Sequence, residues 1–301
     1  MNNNRRNFLK LGTNIVAGLA IAPMACKLMP KDKEEKDAAA TTDDNKKIKD
    51  FGLQLYTLRD DMPKDPKGVL KQVASFGYKQ IESYEGPQGM FWGMSNTDFQ
   101  KYMTELGMTI VASHVDIDKD FEKKAAEAAA IGMKYLICPW KGPQTSIDAF
   151  KKFADDFNKK GEICKKNGIR FAYHNHDYSF KPLDGQLGQD VLMNNTDASL
   201  VDYEMDMYWV ATAGEDVEAW LKKYKNRFRL CHIKDRSKTP VADNGKNSVE
   251  LGTGSLDWSK LLKTAKDNGM QYYIVEQEAY AGTTPLKAVE VNAAFMKSLS
   301  I

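Results

Sequence analysis

From Ile48 onward, short apolar runs alternate with helix-length amphipathic stretches, the pattern of a parallel sheet whose strands are joined by crossover helices. Eight runs read as strands: 50–56, 80–84, 108–113, 134–138, 169–174, 199–205, 228–233 and 271–276. Eight strand-helix units in about 250 residues predict a single (β/α)₈ TIM barrel. The turn chemistry agrees, because Gly77, Gly107, Gly132, Gly168 and Gly269 stand just before strands, where the preceding helix needs a left-handed residue to end it. A doubly wound open sheet is the alternative, but no Gly-x-Gly-x-x-Gly follows the first strand to favour it.

Side chains alternate along a strand, so one inward residue gives the others. In Phe171-Ala-Tyr-His-Asn-His176, the parity that turns small Ala172 into the barrel also turns His174 and His176 inward. The matching series are Asp202, Glu204 and Asp206; Leu230, His232 and Lys234; and Tyr272, Ile274, Glu276 and Glu278. Strand-end residues of neighbouring parallel strands converge at the C-terminal mouth of a barrel, where catalytic groups of this fold sit. His174 or His176, Asp206, His232 and Glu276 therefore form a candidate site for one divalent metal ion. Mn²⁺ is the first choice, with Zn²⁺, Fe²⁺, Co²⁺ or Mg²⁺ as alternatives. His174, the deeper of the two histidines, is preferred as the strand-five ligand. Glu82 and His114, ending strands two and three, point to the same mouth as substrate contacts, and Trp140 and Trp209 can line a pocket for a small substrate there.

Composition narrows the partners. The 301 residues are 42% hydrophobic and carry a formal charge of +2, with the two signs intermixed, so nothing asks for a nucleic acid. Residues 1–25 have the marks of an export signal: Arg5-Arg6 before Phe8-Leu9 resembles a twin-arginine motif, and the apolar stretch from Leu11 to Ala25 is too short to span a membrane. Cys26 stands at the position of a lipidated cysteine, and residues 26–47 read as a flexible tether ahead of a barrel over 48–301. The expected location is periplasmic or membrane-anchored, with membrane contact only through the lipid. Cys138, Cys164 and Cys231, an odd set in apolar or helical contexts, predict buried free thiols.

Taken in order, Tyr173-His-Asn-His176, Asp206-Met-Tyr-Trp209, His232-Ile-Lys-Asp235, Gly252-Thr-Gly-Ser-Leu-Asp-Trp258 and Val275-Glu-Gln277 resemble the sugar phosphate isomerase/epimerase family with the xylose isomerase-like barrel. The resemblance covers nearly the whole chain after residue 50. It implies one divalent metal held from strands five to eight, matched here by His174, Asp206, His232 and Glu276, and flanking groups that move protons beside a carbonyl. Many members place a glutamate on strand five where this chain has His174, which is similar to an exported subgroup that includes keto-dehydratases and subunits cleaving 3-keto-glycosides.

The chemistry expected is an enediolate of a keto sugar, stabilised by the cation. Glu276 is the base candidate, with His174 or His176 opposite and Lys234 placed to neutralise oxyanion charge. Returning the proton elsewhere, the first expectation, makes an isomerase or epimerase; expelling a substituent, the alternative, makes a lyase or hydratase acting on 3-keto-glycosides or related keto sugars. An exported enzyme meets glycosides rather than sugar phosphates, so a non-phosphorylated small carbohydrate is expected. A sugar-binding lipoprotein without catalysis is the third reading. Gly252-Thr-Gly254 could cradle a phosphate, but Asp257 is better placed to open the next helix.

Overall fold

A computed structural model describes residues 47–301. Arg5-Arg6, the apolar stretch and Cys26 lie outside the described residues. Eight parallel strands close one barrel: β1 (Gly52–Gln54), β2 (Gln80–Tyr84), β3 (Thr109–His114), β4 (Tyr135–Cys138), β5 (Arg170–His174), β6 (Val201–Asp206), β7 (Phe228–Ile233) and β8 (Tyr272–Val275). They pair in the order β1-β8-β7-β6-β5-β4-β3-β2. The principal helices are α1 (Pro66–Phe76), α2 (Asn96–Glu105), α3 (Phe121–Ala130), α4 (Ile147–Lys166), α5 (Gly188–Asn195), α6 (Val217–Lys223), α7 (Trp258–Asp267) and α8 (Pro285–Ser298), one after each strand. The five glycines singled out by the sequence all have positive φ, between 68° and 103°. Asp65, Ser95, Asp216, Asp257 and Thr284 accept backbone N–H bonds as N-caps of α1, α2, α6, α7 and α8, which is why those helices start where they do.

Alternation along β5 behaves as expected. Phe171 and Tyr173 face outward onto Phe157 of α4, at ring separations of 5.4 and 5.0 Å, while Ala172 joins Val111, Ala112, Tyr135, Ile137 and Leu230 inside the barrel. Two strands are shorter than expected by two residues or more. The first stops at Gln54 because its side chain accepts the Tyr56 N–H and starts a 3₁₀ turn over Leu55–Leu58. The last stops at Val275, leaving Glu276 just past the strand, where it looks across the mouth. Cys138, Cys164 and Cys231 are buried and unpaired, as expected.

The inward series of β6 marks three levels. At the bottom, Asp202 is clamped by the Arg170 guanidinium and accepts from Tyr135 Oη at 2.9 Å. Glu204 lies above the apolar layer, and Asp206 above that, at the mouth. Register places Asp206 beside His232 and His174 beside Glu204. The two register shifts among the barrel strands fall between Ile81 and Glu82 on β2 and between Tyr203 and Glu204 on β6. The extra, unpaired residues are Val111 of β3 and Arg229 of β7, so these are the strands that bend, ahead of His114 and His232.

Candidate metal centre

The uppermost inward residues of β5, β6 and β7 and the residue after β8 meet at one point. His174, Asp206, His232 and Glu276 each offer a ligand atom, all within 4.8 Å of one another, and all four residues are buried. His232 Nδ1 lies 3.1 Å from His174 Nε2, 3.0 Å from Glu276 Oε2 and 3.6 Å from Asp206 Oδ2. His174 Nε2 is 3.4 Å from Asp206 Oδ2.

Three of the four ligand atoms are aimed by a bond made elsewhere on the side chain. His232 Nε2 is 2.8 Å from Glu82 Oε1, an acceptor only, so this nitrogen donates and Nδ1 is left to face the cluster. His174 Nδ1 faces the Pro139 carbonyl at 3.4 Å, which leaves Nε2 toward the same point. Asp206 caps the helix over Met207–Thr212 by accepting the Trp209 N–H at Oδ1, which leaves Oδ2 to face the cluster and Lys234. Asn175 fixes β5 against β6 through the Asp206 backbone, accepting its N–H at 3.1 Å and donating to its carbonyl at 3.2 Å.

The donor set fits a divalent ion. Two imidazole nitrogens facing each other across 3.1 Å with two carboxylate oxygens beside them are donors of the kind a divalent ion takes. Burial holds His174 neutral, its pKa lowered to about 4, which suits a ligand. Burial pushes the Asp206 and Glu276 carboxyls up, but Lys234 and the neighbouring imidazoles outweigh it and hold both well below the carboxylate range. Lys234 contacts Asp206 Oδ2 at 2.8 Å, Glu276 Oε2 at 3.0 Å and Glu278 Oε1 at 2.8 Å, so its three N–H donors already face carboxylates before any oxyanion forms.

His176 and His174 do not compete for the ligand position. His176 packs between Trp140, Trp209 and Tyr178, at ring separations of 4.5, 5.2 and 5.8 Å, with Nδ1 buried and unpartnered. Burial, with His174 and Lys234 nearby, keeps it neutral well below its ordinary pKa. Trp209 offers an unpartnered Nε1–H at the same wall, and Trp140 is 51% exposed at the rim.

Glu82 and His114 are not at the open mouth. Both are buried one level below the centre with Glu204, which parity turned inward without giving it a role. His114 Nε2 sits 2.7 Å from Glu204 Oε2 and 3.1 Å from Glu82 Oε1. Gln54 Nε2 donates to Glu82 Oε1 at 2.6 Å. Glu278 is a further residue without an expected role: it borders an open cavity of about 550 Å³ with Arg59, Lys246 and Tyr280. Burial raises its pKa despite Lys234.

The Gly252-Thr-Gly254 turn is filled from within. Asp235 Oδ2 accepts from Gly252 N at 2.9 Å and Gly254 N at 3.1 Å, and Oδ1 accepts from Leu256 N at 3.3 Å. A side-chain carboxylate of this chain thus takes the place that a phosphate could have held.

The lower level also sets a pH dependence. Burial lowers the His114 pKa, but Glu82 and Glu204 outweigh it and push it up to about 9; burial and the Glu82 charge push Glu204 up to about 8. Both groups hold protons more tightly folded than unfolded, so their stabilisation is present at low pH and falls away as pH climbs through those values. Chelator-treated protein should therefore show a Tm that declines from pH 6.5 to 9; a flat or rising Tm would contradict the assignment.

A family model described as xylose isomerase-like TIM barrel matches residues 70–299. The chain belongs to that family. Relatives with similar sequences include the inosose dehydratase of Clostridium perfringens, 29% identical over 144 residues, covering 44% of this chain and 48% of that one. The matches thus span about half the length of the first such curated relatives. A sugar phosphate isomerase/epimerase from Parabacteroides distasonis, solved by crystallography, superposes with a TM-score of 0.73 at 28% identity, over 83% of this chain and 98% of that one. The IolI protein with a bound zinc atom shares the fold, with a TM-score of 0.68 at 16% identity over 82% and 96%. Relatives in this family are sugar-modifying enzymes, dehydratases, epimerases and isomerases among them.

Proposed function

We propose that this chain is a divalent-metal-dependent carbohydrate enzyme that removes the proton beside the carbonyl of a keto sugar and expels the oxygen substituent one carbon further on, as a carbon-oxygen lyase or dehydratase. The observation that carries the reading is the convergence of His174, Asp206, His232 and Glu276, the first three with their ligand atoms aimed by separate contacts. A divalent cation held there supplies Lewis-acid polarisation of the carbonyl and stabilises the charge of the enediolate. The curated inosose dehydratases support elimination as the outcome.

The chain's own groups divide the proton work. His176, neutral and with a free Nδ1, takes the proton from carbon; the electron pair forms the new double bond as the carbon-oxygen bond breaks. Glu278, raised in pKa and reachable from the cavity, gives its proton to the departing oxygen, so water or an alcohol leaves. β5 and β8, which carry the two groups, are separated in the barrel by β7 and β6, the strands that bear His232 and Asp206. Trp140 offers an aromatic face to the sugar and Trp209 an N–H to a hydroxyl. The Asp235-filled turn supports a non-phosphorylated substrate.

A second reading, isomerisation or epimerisation by returning the proton to the sugar, is favoured by the similarity to the Parabacteroides distasonis protein over most of both chains. Incubation with Mn²⁺ and either 3-keto-glucosides or free ketoses separates the two. Aglycone release is the expected result; a rearranged sugar without release assigns the isomerase; neither product, with metal bound, leaves a sugar-binding protein. His176→Ala should lower kcat by about 10²–10⁴-fold, the usual share of a proton-transfer group, while metal content stays unchanged.

A further inference from the structure

Beneath the metal centre lies a second set of converging donors that the proposed reaction does not use. Glu82 Oε1, Glu204 Oε2, His114 Nε2 and His232 Nε2 come from β2, β6, β3 and β7 and lie within 4.8 Å of one another. Their separations across carboxylate and imidazole are 2.7 Å (His114 to Glu204), 2.8 Å (His232 to Glu82), 3.1 Å (His114 to Glu82) and 3.4 Å (His232 to Glu204). Ligands about 2.0–2.1 Å from a tetrahedral ion stand roughly 3.3 Å apart, so small side-chain adjustments suffice.

Two independent observations favour a ligand here over a closed set of hydrogen bonds. Glu82 Oε2 and Glu204 Oε1 belong to fully buried carboxylates and have no partner, a costly arrangement for a group that could bind a cation with both oxygens. The two register shifts of the barrel also leave Val111 of β3 and Arg229 of β7 unpaired, ahead of His114 and His232 on the two strands that bring the imidazoles to Glu82 and Glu204. Each imidazole Nε2 meanwhile faces two carboxylate oxygens, whereas a ring N–H has one hydrogen to give.

We propose that Glu82, His114, Glu204 and His232 form a second divalent-cation site, one level below the first and joined to it by His232. Nδ1 of His232 serves the upper ion and Nε2 the lower one. With both positions filled the ring has lost both of its nitrogen-bound protons and bridges the two cations as an imidazolate. The lower ion is enclosed by protein donors, so its role is to fix His232 and the floor of the centre rather than to meet substrate.

The proposal rests on the upper site for the shared ligand, and the test separates the two. Crystals of the full chain equilibrated with Co²⁺ should show two anomalous peaks, one among His174, Asp206, His232 and Glu276 and one among Glu82, His114, Glu204 and His232. In solution, equilibrium dialysis should give two Co²⁺ per chain for wild type and one for Glu204→Gln and for His114→Asn. Electron paramagnetic resonance should show exchange coupling in wild type that both variants lose. One upper peak with one ion per chain, unchanged by Glu204→Gln, overturns the lower site and leaves the proposed function standing. Absence of both peaks overturns both, and because wild type alone yields this answer, a variant that fails to fold does not blunt the test.

Discussion

Glu276→Ala will lose the divalent ion held at the barrel mouth and keep its fold. The carboxylate supplies one of four convergent ligand atoms, and its removal leaves Lys234 still paired with Asp206 and Glu278, at 2.8 Å each. No buried charge is stranded, so the cost falls on metal binding rather than on packing. The affinity should drop by more than about 100-fold, the upper end of what losing an outer partner alone costs. His232→Ala should also lose the ion, since His232 Nδ1 faces His174 and Glu276. Elemental analysis beside far-ultraviolet circular dichroism checks both; full upper-site occupancy in a folded Glu276→Ala would sink the ligand assignment.

The largest effect on stability should come from a residue that touches no substrate. Asp235 is fully buried and its carboxylate accepts the N–H groups of Arg236, Gly252, Gly254 and Leu256. Asp235→Ala removes those acceptors at once, and although loop relaxation lets water reach some donors, a loss of about 3 kcal/mol is expected. Asp235→Asn keeps one acceptor oxygen and should cost less. Gly254→Ala should weaken the same turn by a different route, because a Cβ there would sit 2.1 Å from Asp235 Oδ1. Denaturant titration of the three variants gives the order directly. An Asp235→Ala protein as stable as wild type would show that the turn holds itself.

These two cases mark what can be read from the chain before its structure. Strand alternation placed His174, Asp206, His232 and Glu276 at one mouth because period-two geometry and barrel closure leave little freedom once Ala172 is inward. The same reasoning turned Glu204 inward but could not say that it meets Glu82 and His114, since that depends on an extra residue in β3 and another in β7. Their places at the ends of strands two and three also pointed Glu82 and His114 to that mouth, whereas they group instead with Glu204 and the second nitrogen of His232. The Gly-x-Gly turn was open to two readings because bare backbone N–H groups accept an internal carboxylate as readily as an external anion. The neighbouring Asp235, three residues after a ligand histidine, was the available signal. Asn175 and Glu278 were likewise in view, within Tyr173-His-Asn-His176 and two residues after Glu276, but their roles depend on contacts across strands.

Proton removal from carbon, made possible by the strand-end metal site, is the core of the account, and solvent deuterium exchange measures it most directly. Wild-type protein loaded with Mn²⁺ should catalyse exchange or loss of the hydrogen beside the carbonyl of a 3-keto-glucoside in D₂O, followed by mass spectrometry. Chelation should stop it and added Mn²⁺ should restore it, while Glu276→Ala should remain silent under both conditions. Reaction that proceeds at the same rate after complete metal removal, or in the metal-free Glu276→Ala variant, would contradict it.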